Sequence, residues 1–204
     1  MSVTAVVFDY GQVISFPPEH GVIEALARLA GLPAPLMEDL LWRFRPAYDR
    51  GTISGEEYYR TLLAEQGVRL GPERLRDLVQ LDLDSWKRIN PGTARLMEDV
   101  KAAGLKLGIL SNMPHEFLAF ARANIPLFSL PDAGVFSCEA QSIKPEKEIY
   151  QALLRALDCP PAEACFFDDM PQNVRGAAEQ GIKALLWRDP ETARGELRSL
   201  GVPV

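Results

Sequence analysis

Four short clusters of polar residues stand where apolar runs end. Asp9 follows VVF in VVFDYGQVI; Ser111 and Asn112 close LGILSN; Lys144 lies in SIKPEKEIY; Asp168 and Asp169 close CFFDD. Singly, each has a plain structural reading: an Asp after a strand caps a turn, Ser111 caps a helix beginning near Pro114, Lys144 is a solvated charge, and paired acids face water. Brought together they would do chemistry. Three carboxylates each ~4 Å from the next repel by about 4 kcal/mol per pair at an effective dielectric near 20. Such a group stays ionised only beside cations. Lys144 supplies one, and a divalent ion with oxygen ligands supplies another, Mg²⁺ being suited to carboxylates, a backbone carbonyl and waters. A carboxylate nucleophile, a metal, a cation and hydroxyl or amide donors are what phosphoryl transfer needs, with an aspartyl-phosphate as the covalent intermediate. The partner of such a site is a small phosphorylated metabolite.

The elements around these clusters decide whether they meet. Val3 to Phe8 is β-branched and almost continuously apolar, which predicts a central parallel strand buried on both faces. Leu105 to Leu110, Ala164 to Phe167 and Ile182 to Trp187 read as further strands, alternating with helices over Ala94–Ala103, Glu146–Leu157 and Gln172–Gln180. This alternation predicts an α/β fold with a parallel sheet, in which ligands bind beyond the carboxyl ends of the strands. The first connection differs. It holds helix-like segments at Glu19–Ala30, Pro35–Tyr48, Gly55–Gln66 and Pro72–Trp86, the third opened by the capping pair Ser54 and Glu57 after Gly51. Residues 15–88 therefore read as a helical cap inserted into an α/β catalytic core formed by residues 1–14 and 89–204.

Composition narrows the function classes. Of 204 residues 47% are hydrophobic and 25% charged, an ordinary globular balance for a chain that can bury a sizeable core. The net charge of −6 argues against nucleic acid, whose backbone requires a basic face. No segment approaches the ~20 apolar residues of a membrane span, and the apolar N-terminal run, interrupted by Asp9, is too short for a signal peptide. Cys138, Cys159 and Cys165 show no CxxC spacing and read as reduced thiols, so the expected compartment is the cytoplasm.

At the four clusters the sequence resembles the haloacid dehalogenase (HAD) superfamily, in its phosphatase-rich branch. VVFDYGQV, GILSN, SIKPEKEIY and FFDDMPQNVRGA match its four motifs in order and span nearly the whole chain. The resemblance implies a Rossmann-like core with a type 1 helical cap that closes over the site and carries selectivity. It implies Asp9 as nucleophile, Ser111 and the Asn112 amide holding the transferring phosphoryl group, and Lys144 balancing charge. It further implies Mg²⁺ on Asp9, the Gly11 carbonyl and Asp169, with Asp168 nearby and Asn173 in the outer position. The D-x-G-x-V form of the first motif, and AYDRGTISGEEYY in the cap, are similar to a subgroup that includes α-glucose-1-phosphate phosphatases.

Two departures stand out. Most family phosphatases carry an acid two positions after the nucleophile, which protonates the leaving oxygen; here that residue is Gly11. A leaving group needing less help, or help from Gln12-positioned water or a cap residue, would account for it. A 2-haloacid dehalogenase using the same Asp is an alternative, although those relatives carry Tyr there and need no acidic pair. A catalytically weak metabolite-binding protein is another. The second departure is Gln141, where a glycine is common. Outside the motifs, His20 reads as a helix-entry residue or a substitute acid, His115 as a pocket or capping residue, and neither has zinc-ligand spacing. Arg43, Arg45, Tyr48 and Arg50 either grip substrate or form a solvated face, while Trp42, Phe44 and Tyr58–Tyr59 read as cap core.

Overall fold

The computed structural model describes residues 2–204. The strands are β1 (Ala5–Phe8), β2 (Lys106–Ser111), β3 (Ala133–Phe136), β4 (Ala164–Asp168) and β5 (Lys183–Leu186). They form one parallel sheet in the order β3-β2-β1-β4-β5. The chain steps outward from β1 to β3, then crosses back to β4 on the other side of β1. That reversal opens a crevice at the carboxyl ends of β1 and β4, which Val6 opposite Cys165 and Phe8 opposite Phe167 place at matching heights.

Alternation along β1 sorts its side chains to two cores. Val6 and Phe8 pack with Leu96, Phe117, Phe167 and Leu197, whereas Ala5 and Val7 pack with Ile149, Leu153, Phe166 and Ala177. All four β1 residues are buried, which is why the strand reads as a continuous apolar run.

Four helices separate β1 from β2's own preceding helix: α1 (Val22–Ala30), α2 (Ala34–Asp49), α3 (Gly55–Ala64) and α4 (Pro72–Ser85). They enclose a third core of Leu26, Met37, Leu40, Tyr48, Tyr58, Tyr59, Leu62 and Leu78. Tyr48, Tyr58 and Tyr59 therefore build the core of this helical layer, Tyr48 stacking on Tyr58 at 4.8 Å between ring centroids. Ser54 accepts from the Glu57 amide at 3.2 Å and opens α3. Trp42 departs from the cap-core expectation, being 55% exposed. Then come α5 (Pro91–Ala102), α6 (His115–Asn124), the short α7 (Ser137–Ala140), α8 (Lys147–Leu157), α9 (Pro171–Glu179) and α10 (Pro190–Ser199).

Three elements are absent from the sequence reading: the single turn α7, β3 and α10. β3 is a four-residue edge strand, AGVF, containing a glycine and only two buried residues, too weak a pattern to stand out. α10 is amphipathic but short, and the Asp189 side chain that opens it, accepting from the Thr192 amide at 2.9 Å, is its clearest signal. Cys138, Cys159 and Cys165 are buried and unpaired. Among the described residues no helix is long and apolar enough to cross a membrane.

Candidate active site

β1 delivers Asp9 to the crevice, where its backbone N–H is fixed by the Phe167 carbonyl of β4 at 2.9 Å. The chain then makes a single wide turn, Tyr10–Ile14, closed by the Ser15 N–H donating to the Tyr10 carbonyl at 2.8 Å. The turn places the Tyr10 N–H 2.6 Å from Asp9 Oδ1. It needs a left-handed residue, which is Gln12 at φ 59° rather than a glycine. Gln12 in turn donates from Nε2 to Asp169 Oδ2 at 2.9 Å, tying the first motif to the fourth.

Lys144 is the hub. Its ammonium lies 2.7 Å from Asp9 Oδ1 and 2.6 Å from Asp168 Oδ2, and it donates to the Leu110 carbonyl at 3.1 Å. At 3% exposure it is a buried charge, not a solvated one. The Asn112 side chain clasps its backbone in both directions: the Lys144 N–H donates to Oδ1 at 2.8 Å, and Nδ2 donates to the Lys144 carbonyl at 3.1 Å. This clasp engages both ends of the Asn112 side-chain amide. Ser111 closes β2, buried, and caps no helix; its Oγ has only a long 3.5 Å approach to the Asn112 carbonyl.

Asp168 lies fully buried beneath the crevice and is saturated. Besides Lys144 it accepts from the Met170 N–H at 2.8 Å and from Asn173 Nδ2 at 3.0 and 3.2 Å. Asp9, Asp168 and Asp169 each bring a carboxylate oxygen within 4.8 Å of the others. Burial pushes the Asp9 carboxyl up to about 7; Lys144 opposes the rise, and Asp168 and Asp169 add to it. Burial and then Asp168 likewise push Asp169 up to about 6. For Lys144 burial acts downward, but the Asp168 and Asp9 carboxylates outweigh it and raise its pKa. One lysine thus faces three acids, a surplus of negative charge that an oxygen-ligated divalent cation would relieve. The all-oxygen donor set fits such an ion.

Above the crevice lies a cavity of about 360 Å³ lined by both layers. From below come Asp9, Gly11, Ser111, Asn112, Lys144, Asp169 and Asn173; from the helical layer come Trp42, Arg45, Asp49, Leu83 and Trp86. Arg45 is ion-paired to Asp49 at 2.8 Å and to Asp82 at 3.0 Å. Arg43 pairs with Glu65 at 2.7 Å on the surface, and Arg50 with Glu146 at 2.6 Å. Tyr48 is buried in the cap core. His20 and His115 are exposed and lie outside the cavity lining. Gln141 adopts the left-handed conformation at φ 50°, and Arg50 donates to its carbonyl at 3.0 Å, so the turn forms without the glycine.

Sequence reasoning did not find the Asn112 clasp or the cap carboxylate Asp49. The i, i+4 spacing of Arg45 and Asp49 in RPAYD was a usable signal for the second. Trp86 also escaped it: an added Cβ on Gly11 would meet its ring at 3.4 Å, so the indole borders the position of the missing acid.

The family model described as haloacid dehalogenase-like hydrolase matches residues 5–181. Phosphatase MT3486 of Mycobacterium tuberculosis is 30% identical to the chain, over 98% of the chain and 94% of that protein. The phosphorylated carbohydrates phosphatase of Thermotoga maritima is 25% identical, over 89% and 83% respectively. Among solved structures, a HAD family enzyme of Bacteroides thetaiotaomicron, in complex with magnesium and inorganic phosphate, superposes with a TM-score of 0.74. That match is 18% identical and covers 92% of this chain and 95% of the other, a likeness of fold.

Proposed function

The chain belongs to the haloacid dehalogenase-like hydrolases, and we propose that within them it is a Mg²⁺-dependent phosphatase of small phosphorylated metabolites. The observation that carries this reading is Lys144, buried between Asp9 and Asp168 at 2.7 and 2.6 Å, at the edge where Ser111 and Asp169 also arrive. Asp9 attacks phosphorus; its oxygen–phosphorus bond forms as the bond to the leaving oxygen breaks. Water then hydrolyses the aspartyl-phosphate and returns Asp9 as a carboxylate. Ser111 Oγ and the Asn112 main-chain N–H donate to the phosphoryl oxygens, and Lys144 balances charge on them and on Asp9. Asn112, through its clasp, holds Lys144 in register, and Asn173 orients Asp168, which in turn holds the ammonium.

Asp9, Asp169 and the Gly11 carbonyl are the donors that would hold Mg²⁺, with Asp168 behind them and Asn173 beyond. When bound, the ion supplies positive charge against the phosphoryl group and orients it for in-line attack. The helical layer over the cavity acts as the cap. Gly11 offers no proton, and a positioned general acid is typically worth ~10²–10⁴-fold. The best substrates are therefore those whose leaving group departs without one, such as an anomeric sugar phosphate or an acyl phosphate. The phosphorylated-carbohydrate activity carried in the name of the Thermotoga relative supports a sugar phosphate.

The test is phosphate release from a panel of sugar phosphates, nucleotides and acyl phosphates, with Mg²⁺ and with chelator, beside chloride release from 2-chloropropionate. Metal-dependent phosphate release is expected. Metal-independent chloride release would make the protein a dehalogenase.

A further inference from the structure

Building on the phosphatase reading, we propose that the cavity selects phosphate monoesters whose leaving alcohol is uncharged and presents an apolar or ring face, and rejects those bearing a second anionic group. Among the described residues two cations line the cavity, Arg45 and Lys144. Each is already ion-paired to two carboxylates. Lys144 serves Asp9 and Asp168 beneath the phosphoryl position. Arg45 gives Nε to Asp49 at 2.8 Å and Nη1 to both oxygens of Asp82 at 3.2 and 3.0 Å, with side-chain exposures of 14, 13 and 7%. Two carboxylates on one guanidinium leave this cap cluster with a surplus negative charge.

A carboxylate or second phosphate on the leaving group would meet that surplus, with no lining cation that is not already shared by two carboxylates. Desolvating an unpaired anion against an acidic wall is disfavoured twice, by lost hydration and by repulsion. An uncharged alcohol meets neither cost. Asp49 accepts through Oδ1 from Arg45, while its Oδ2 takes no hydrogen bond from any described residue. That oxygen suits a neutral hydroxyl donor.

The rest of the wall is apolar. Leu83, Trp86 and Phe117 line the interior, and two of the four most exposed large apolar side chains, Trp42 at 55% and Met170 at 41%, also line the cavity. Exposed aromatic and thioether groups lining a cavity are surface waiting for a ring or an aliphatic face.

The experiment compares matched pairs with the full-length protein and Mg²⁺: phenyl phosphate against 4-carboxyphenyl phosphate, and glucose 1-phosphate against glucose 1,6-bisphosphate. The expected result is a kcat/KM at least tenfold higher for the uncharged member of each pair. The double variant Asp49→Asn/Asp82→Asn, which releases the Arg45 charge, is expected to shrink that ratio at least fivefold, and Asp49→Asn alone to move it in the same direction if the double variant fails to fold. Charged and uncharged members hydrolysed within a factor of two by the unmodified protein would overturn the inference while leaving the phosphatase reading intact. No phosphate from any member, phenyl phosphate included, would overturn both.

Discussion

Two clusters reach the same cavity, each through its cation and one acid, and each gathers two carboxylates on that cation. In the core, Lys144 holds Asp9 and Asp168; in the cap, Arg45 holds Asp49 and Asp82. Their construction differs. The core acids sit at the ends of adjacent strands, and their positions are set by the sheet, by the Asn112 clasp and by Asn173. The cap residues all lie on helices: Arg45 and Asp49 are one turn apart on α2, and Asp82 is on α4. Only the core cluster has a third acid beside it, Asp169, placing three carboxylates within 4.8 Å. On the proposed phosphatase reading, equal local stoichiometry serves two ends, one to gain a metal and a phosphoryl group, the other to shape the wall.

The largest expected effect is that of Asp9→Asn. The amide is nearly isosteric but a far poorer nucleophile, and loss of a nucleophile costs on the order of 10⁴-fold or more in kcat. Melting and circular dichroism should show an intact fold; unchanged turnover in the variant would sink the covalent route.

Next come the two cations. Lys144→Met and Arg45→Met each leave paired buried acids uncompensated, a situation that costs about 3–5 kcal/mol. Denaturant unfolding should show comparable losses for the two variants, yet only Lys144→Met should also abolish turnover. If Arg45→Met were equally inactive while folded, the Arg45 cluster would be part of the chemistry. Lys144→Arg should not rescue, because a planar fork cannot replace a point charge held by Asp9, Asp168 and the Leu110 carbonyl at once.

The core cluster was more legible in sequence than its partner. Its acids and Ser111 close or follow apolar strands, so the alternation of elements alone carried Asp9, Ser111 and Asp168–Asp169 to one sheet edge, while Lys144 arrives from the turn before α8. The parallel sheet was readable for the same reason, except for β3, whose AGVF has two buried positions. The cap cluster was not readable as such. Asp82 is 37 residues from Arg45, on a helix whose charged residues otherwise face water, and nothing local marks it as the buried one. Helix-to-helix contacts of this kind depend on packing angles that periodicity does not encode. The Asn112 clasp was hidden likewise, since an amide after a strand looks the same whether it holds a ligand or a backbone.

Gly11 tests how the two walls share the leaving group. Its backbone, at φ −63° and ψ 128°, is open to any L residue, and a Cβ there would sit 3.4 Å from the Trp86 ring, an ordinary contact. Gly11→Asp should therefore fold and place an acid between core and cap. The expected outcome is a gain of roughly 10-fold or more on alkyl phosphates with poor leaving groups, within the ~10²–10⁴-fold range of general acid catalysis, and little change on acyl phosphates. Equal gains on both would mean that the new carboxylate acts by some route other than protonating the leaving oxygen.

The smallest effect concerns the bridge between the two regions. Arg50 of the cap reaches Glu146 of the core through two hydrogen bonds, at 2.6 and 2.9 Å, and these bonds, with help from the Ile143 amide and Ser142, hold the Glu146 carboxyl down to about 2. A depressed carboxylate contributes stability that is complete above its unfolded pKa, near 4.5, and is lost as pH falls toward 2. Both side chains are partly exposed, 29 and 38%, so screening limits the pair to about 1 kcal/mol. Glu146→Gln should lower the melting midpoint slightly at pH 7 and flatten its decline between pH 4.5 and 2. A variant with the same acid limb as the unmodified protein would show that the carboxylates of the two clusters, not this bridge, set the response to acid.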